Sequence, residues 1–153
     1  MRSKLILFIC LVAGISSFGQ GSWTVCNAPA FNNRIDDVYM VNEQTGYAVS
    51  GDGKIVKTVD GGENWTLMLQ TPLVYCRSVE FINEQKGFVG GFPALQSGNN
   101  ALRRTIDGGQ TWTDLSPLLH QRVRRGGICG LSVADENTIY GGGNWFQDSA
   151  YLV

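Results

Sequence analysis

One stretch of this chain is written twice. Val38-Tyr39-Met40-Val41-Asn42-Glu43-Gln44-Thr45-Gly46-Tyr47 returns at an offset of 41 as Val79-Glu80-Phe81-Ile82-Asn83-Glu84-Gln85-Lys86-Gly87-Phe88. Thr58-Val59-Asp60-Gly61-Gly62-Glu63-Asn64-Trp65-Thr66 returns at an offset of 47 as Thr105-Ile106-Asp107-Gly108-Gly109-Gln110-Thr111-Trp112-Thr113. The second unit therefore holds six extra residues between its two motifs, in a stretch around residues 91–100 whose Pro93, Ser97, Gly98, Asn99 and Asn100 read as a loop. A third copy opens with Leu131-Ser132-Val133, Asp135-Glu136-Asn137 and Tyr140-Gly141-Gly142, at an offset of 52 from the second unit. Tyr151-Leu152-Val153 then stands where Lys54-Ile55-Val56 and Ala101-Leu102-Arg103 stand in the earlier units. Ser22-Trp23-Thr24-Val25 matches Asn64-Trp65-Thr66-Leu67, the tail of a unit. A repeat of this length cannot bury a core alone and must stack on its neighbours.

Each unit reads as four strands. In the first unit they fall at residues 38–41, 47–50, 54–59 and 65–69, with Gly51-Asp52-Gly53 and Asp60-Gly61-Gly62 as turns. Val38 and Met40 share one face of the first strand. Gly141-Gly142-Gly143 occupies the second-strand slot of the third unit and reads as a turn or bulge. Composition agrees. Glycine is 20 of 153 residues, near twice the usual share of about 7%. Charged residues are 16%, and Trp, Tyr and Phe number 4, 5 and 7. That excludes a disordered chain and a helical bundle. Four short strands per 40–50 residues select an all-β fold, a β-propeller of four-stranded blades.

Within a unit the Asp-Gly-Gly turn has a structural logic. Gly61 or Gly62 supplies the positive φ of a tight hairpin, Asp60 accepts turn N–H groups, and Trp65 is an apolar plate with one N–H donor. The same roles fall to Asp107, Gly109 and Trp112, with Thr58 and Thr105 opening each box. The sequon Asn64-Trp65-Thr66 lies inside this motif and reads as incidental.

These residues resemble the Asp-box, or bacterial neuraminidase repeat, of pattern Ser/Thr-x-Asp-x-Gly-x-Thr-Trp. Residues 105–112 meet every position, and residues 58–65 depart by Asn64. The longer pattern, an apolar strand, Asn-Glu-Gln-x-Gly-aromatic and then Thr-x-Asp-Gly-Gly-x-x-Trp, is similar to the photosystem II assembly and stability factor propellers. The resemblance implies a propeller, commonly seven-bladed, with the box on the outer turn between third and fourth strands and without catalytic duty. About 2.5–3 blades would then be present. The expected organisation is an outer closing strand and linker at 20–34, blade 1 at 35–72, blade 2 at 73–119 and an incomplete blade 3 at 120–153. The remaining blades of a longer chain would complete the ring, and these residues alone are expected to express poorly or aggregate.

Residues 1–19 read as a signal peptide: Arg2 and Lys4, an apolar run at 5–15, and Ser17-Phe18-Gly19 before a cleavage site at Gln20. The run is too short to span a bilayer. An exported protein, periplasmic, cell-surface or secreted, is the expectation. Losing Arg2 and Lys4 leaves ten basic against thirteen acidic residues, a net of −3, which argues against nucleic-acid binding. Cys26, Cys76 and Cys129 remain, an odd number, and are expected as small buried hydrophobes in strands. With one histidine, His120, no metal site or cofactor is expected.

Two functions stay open. The first is a non-catalytic binding module for a protein or carbohydrate partner, with Arg122, Arg124 and Arg125 as a candidate patch. The resemblance implies a membrane-protein assembly intermediate as partner and basic residues in the contact. The second is a sialidase-type glycoside hydrolase. Such enzymes carry the same boxes and need arginines for a substrate carboxylate and a Tyr nucleophile with a Glu partner. The family's Arg-Ile-Pro motif is half met by Arg34-Ile35-Asp36. Arg34 reads as a loop residue.

Overall fold

The computed structural model describes residues 23–71, 74–93 and 101–143. The proposed signal peptide, most of the expected 91–100 loop and Tyr151-Leu152-Val153 lie outside them. The first sheet is β1 (Ile35–Met40), β2 (Gly46–Ser50), β3 (Lys54–Thr58) and β4 (Thr66–Gln70), antiparallel and in sequence order. The second repeats it with β5 (Val74–Phe81), β6 (Gly87–Pro93), β7 (Leu102–Thr105) and β8 (Thr113–Asp114). A 3-10 turn (Ser116–Leu118) and a short helix α1 (Gln121–Gly126) lead to β9 (Ile128–Val133) and β10 (Ile139–Gly143), the described pair of the third unit. β1, β5 and β9 come together as the first strands of successive sheets, and the sheets stack face to face as propeller blades.

Register explains why both faces of a strand are apolar. Val38, Ala48, Val56 and Leu67 form one row across the first sheet, and Tyr39, Tyr47, Lys57 and Thr66 form the next, on the other face. Between the first two sheets lie Tyr47, Val49 and Ile55 on one side and Cys76, Val79, Phe81 and Val89 on the other. Phe81 stacks on Tyr47 with ring centroids 3.7 Å apart, and Trp112 meets Phe81 edge-on at 6.2 Å. The other face of the second sheet presents Phe88 and Leu102 to Val123 of α1 and to Ile128, Leu131 and Val133.

The repeated polar residues build repeated turns. Asn42 Oδ1 accepts from the N–H groups of Gln44 and Thr45, Asn83 Oδ1 from those of Gln85 and Lys86, and Asp135 Oδ1 from that of Asn137. In each Asp-box the two glycines take positive φ, 73° and 95° at Gly61 and Gly62, 69° and 86° at Gly108 and Gly109. Side chains bearing Cβ resist that conformation. The box then hangs on the preceding turn, with Gly61 N–H donating to Gln44 O and Gly108 N–H to Gln85 O, both 2.9 Å.

The structure moves some expected edges. β6 runs to Pro93, because β5 extends back to Val74 and offers Tyr75 and Cys76 as partners for Phe92 and Gly91. That part of the expected loop is strand. Gly141 and Gly142 pair within β10, and the register slips between Gly142 and Gly143, the expected bulge. Residues 23–26 join no strand, and Trp23 and Val25 are fully exposed.

Removing the Phe81 ring takes away both the stack and the edge contact. Phe81→Ala should cost about 3–5 kcal/mol in urea unfolding, and Phe81→Leu clearly less.

Candidate functional site

The Asp-boxes sit on the turns between third and fourth strands. Thr58 Oγ1 donates to Asp60 Oδ1 (2.8 Å) and accepts from Gly62 N–H (3.0 Å). Asp60 takes the Asn64 N–H on Oδ1 and the Asn64 amide on Oδ2, and Trp65 Nε1 donates to Gly62 O. Thr105, Asp107, Gly109, Thr111 and Trp112 repeat the arrangement, the Thr111 hydroxyl replacing the asparagine amide. The Asn64 amide is held by Asp60, so the formal sequon is engaged in the turn. These bonds hold both carboxyls well below their ordinary range, at about 2: Asp60 chiefly through Asn64, Asp107 chiefly through Thr111. Both oxygens of each carboxylate thus accept bonds from within their own turn.

Because the folded carboxyls titrate lower than the unfolded ones, near 3.9, the unfolded state binds more protons between these values and stability falls as pH drops from about 4 to about 2. Urea titrations across that window should show the fall. It should be shallower in Asp60→Asn/Asp107→Asn, which starts less stable at neutral pH.

A second set of polar and charged side chains gathers at the other end of the sheets. Met40 pairs with Gly46 at the box end, and Ile35 pairs with Ser50 at the opposite end. There Asp52 accepts from Ser50 Oγ (2.5 Å) and Asn32 N–H (3.0 Å) and pairs with Lys54 (2.8 Å), whose ammonium also donates to Ala30 O. Burial alone would raise the Asp52 carboxyl, but the bonds from Lys54, Ser50 and Asn32 outweigh it and hold it at about 2. This clasp ties residues 30–32 to the sheet and so sets Arg34, whose C=O accepts from Gly51 N–H.

Arg34 and Arg77 both donate to Asp36 Oδ1, at 2.8 and 2.9 Å. The Asp36 side chain is 5% exposed, that of Arg77 28% and that of Arg34 61%. The hydrogen bond and charge of Asp36 raise the Arg34 guanidinium further. Tyr75 lies beneath both guanidiniums, 5.7 Å from Arg34 and 6.0 Å from Arg77, and Arg77 also covers Phe92 at 5.9 Å. Such cation–π contacts fix the guanidinium planes. Asp36 Oδ2 and Arg77 Nε are buried without a hydrogen-bond partner.

Arg122, Arg124 and Arg125, the patch expected from sequence, lie on the six-residue helix α1 rather than on a loop. His120 caps the helix by accepting from Arg122 N–H, and Val123 anchors it in the second core. The helix ends at Gly127 (φ 77°), where a Cβ would meet Phe92 at 2.4 Å and Gly91 O at 2.6 Å. That approach brings α1 to the Phe92 end of β6. The two groups of arginines, one foreseen and one not, thus share one end of the molecule.

The missed residues, Asp36, Tyr75, Arg77 and Phe92, form no local motif. The repeat held a signal all the same: at an offset of 41, Asp36 falls on Arg77 and Arg34 on Tyr75. Opposite charges at equivalent positions of neighbouring blades become partners across the boundary. The expectation for cysteines holds in part. Cys76 is buried in β5, Cys129 is half-buried in β9, and Cys26 is exposed outside any strand. Burial pushes the Cys76 thiol up to about 11 and raises Cys129 as well, Arg77 opposing the latter. Among the described residues no group of three or more His, Cys, Asp and Glu could hold a metal ion, and no helix is long and apolar enough to cross a membrane. Iodoacetamide at pH 8 should therefore alkylate Cys26 first and Cys76 last, the latter in step with unfolding, as read by peptide mass spectrometry.

Residues 16–124 match the sequence profile of the photosynthesis system II assembly factor YCF48 family. The chain belongs to that family. No curated protein matches it. Among solved structures it is similar to YCF48 bound to D1 peptide, at 20% identity and a TM-score of 0.56, over 76% of this chain and 40% of that one. It is also similar to an ancestral GH74 enzyme, at 15% identity and a TM-score of 0.60, over 79% of this chain and 17% of that one. The chain thus spans well under half the length of either, and both likenesses speak to the propeller fold.

Proposed function

We propose that this family member is an exported, non-catalytic binding module that holds an acidic polypeptide segment on the arginine-bearing end of its blades. The carrying observation is the gathering of Arg34 and Arg77 around Tyr75 and Phe92, on the end that α1 supplies with Arg122, Arg124 and Arg125. Guanidiniums bind carboxylates in bidentate fashion, and flat rings add apolar area at little entropic cost. Arg34, the exposed member, is the natural first contact; moving it off Asp36 would free one acceptor for an incoming donor. The similar YCF48 structure holds a D1 peptide, which favours a polypeptide over a carbohydrate ligand. Export rests on the leader-like residues 1–19.

Hydrolysis of a sialoside is less well supported. The Arg-Ile-Pro motif of such enzymes is only half met, by Arg34-Ile35-Asp36.

Fluorescence anisotropy with an acidic peptide, a neutral peptide of equal length and a sialylated oligosaccharide separates these readings. The acidic peptide should bind, more weakly as salt rises, and Arg77→Ala or Arg122→Ala/Arg125→Ala should weaken it about tenfold. Equal binding of both peptides sinks the electrostatic reading. Sialoside turnover abolished by Arg34→Ala establishes the enzyme instead.

A further inference from the structure

Asp36, Asp37 and Asp52 lie at the arginine end of the first sheet, and two of these carboxylates are fully engaged. Asp37 accepts from Val38 N–H on Oδ1 and from Val79 N–H on Oδ2. Asp52 accepts from Ser50 on Oδ1, and from Asn32 N–H and Lys54 on Oδ2. Asp36 differs. Arg34 and Arg77 both address its Oδ1, and Oδ2 is buried with no hydrogen-bond partner among the described residues. Arg77 Nε, on the other side of the same ion pair, is buried in the same condition. A buried polar group left unmet costs more than an average hydrogen bond returns, so both atoms call for partners. One is an acceptor and the other a donor.

That pair of demands restricts what can meet them. An ionised acidic side chain offers acceptors alone. A polypeptide main chain offers both kinds. In an extended segment the N–H and C=O of one residue lie on the same edge, as in the hydrogen-bonded pairs of an antiparallel ladder. A segment docked along that edge can donate to Asp36 Oδ2 and accept from Arg77 Nε.

Arg34 controls the approach. Its side chain is 61% exposed, and an ion pair so exposed contributes little, so Arg34 leaves Asp36 at small cost. Arg77 is the more buried partner and is held over both Tyr75 and Phe92, so it stays. We propose that Asp36 is the specificity-determining residue of this site: when a carboxylate of the ligand draws Arg34 away, a main-chain N–H of the same ligand takes its place at Asp36. The site then reads a main-chain amide beside an acidic side chain, and charge alone does not satisfy it. This rests on the binding of an acidic polypeptide proposed above and names the second group that such a ligand must present.

Fluorescence anisotropy with a short alanine peptide bearing glutamates at its centre tests this. The comparison is the same peptide with one main-chain N–H at a time replaced by an ester oxygen, which leaves the charge untouched. Replacement at one position should weaken binding about tenfold, and at the others little. Asp36→Asn should erase that loss, because its Nδ2 can donate to the ester oxygen while Oδ1 keeps the guanidiniums. Circular dichroism melts confirm that the variant folds. Hydrogen exchange of the parent peptide on the unaltered protein reads the same contact without any substitution, and the N–H found by the ester scan should be the protected one. An ester tolerated at every position, a loss that persists in folded Asp36→Asn, or an unprotected N–H at the sensitive position overturns the proposal while acidic-peptide binding stands. Failure of the parent peptide to bind overturns both readings.

Discussion

Tyr47 joins two blades by two contacts of its own and is flanked by a lysine of its own sheet. Its ring lies flat on Phe81, its hydroxyl donates to Gly108 O at 2.9 Å, and the Lys57 ammonium sits 5.2 Å from its centroid while donating to the same carbonyl. The carbonyl belongs to the Asp-box of the second blade. Apolar stacking and box geometry are therefore one device: the box holds Gly108 in the φ that presents its oxygen to the neighbour. Beyond the strands, the rest of the stack relies on carboxylates reaching across, Asp37 to Val79 N–H and Glu80 to Val133 N–H. Successive first strands do not share a ladder, so these side chains satisfy N–H groups that pairing leaves unmet.

Much of this was legible in the chain. Periodicity gave the four-stranded unit, because motif spacing records strand length and turn type together. The Thr-x-Asp-Gly-Gly-x-x-Trp box could be read nearly to the atom, since all of its bonds are local. The candidate site was harder to read. Arg122, Arg124 and Arg125 drew attention as a run, but their helix depends on His120 as cap and Val123 as anchor, neither of which stands out. Arg77, Tyr75 and Asp36 become a site through contacts made 41 residues apart or between strands. Comparing the units where they differ, rather than where they agree, exposes them.

That difference divides the molecule by ends. At the box end Asp60 and Asp107 are bonded within their own turns and held near pKa 2. At the other end Asp36 is shared by two guanidiniums and keeps an unpartnered oxygen. Asp52, also at that end, is engaged by Ser50, Asn32 and Lys54 and is held at about 2 as well. Positions 36 and 77, equivalent in the repeat, carry opposite charges at that second end.

The turns that Asn42, Asn83 and Asp135 make carry a further consequence. An amide oxygen serves the first two units and a carboxylate the third, in equivalent places. The turn asks for an acceptor and is indifferent to formal charge. A copied unit can thus change its electrostatic sign at such a position without changing its outline. Duplication followed by recharging is then an easy evolutionary path: the scaffold is inherited whole, and each blade acquires its own polarity one side chain at a time.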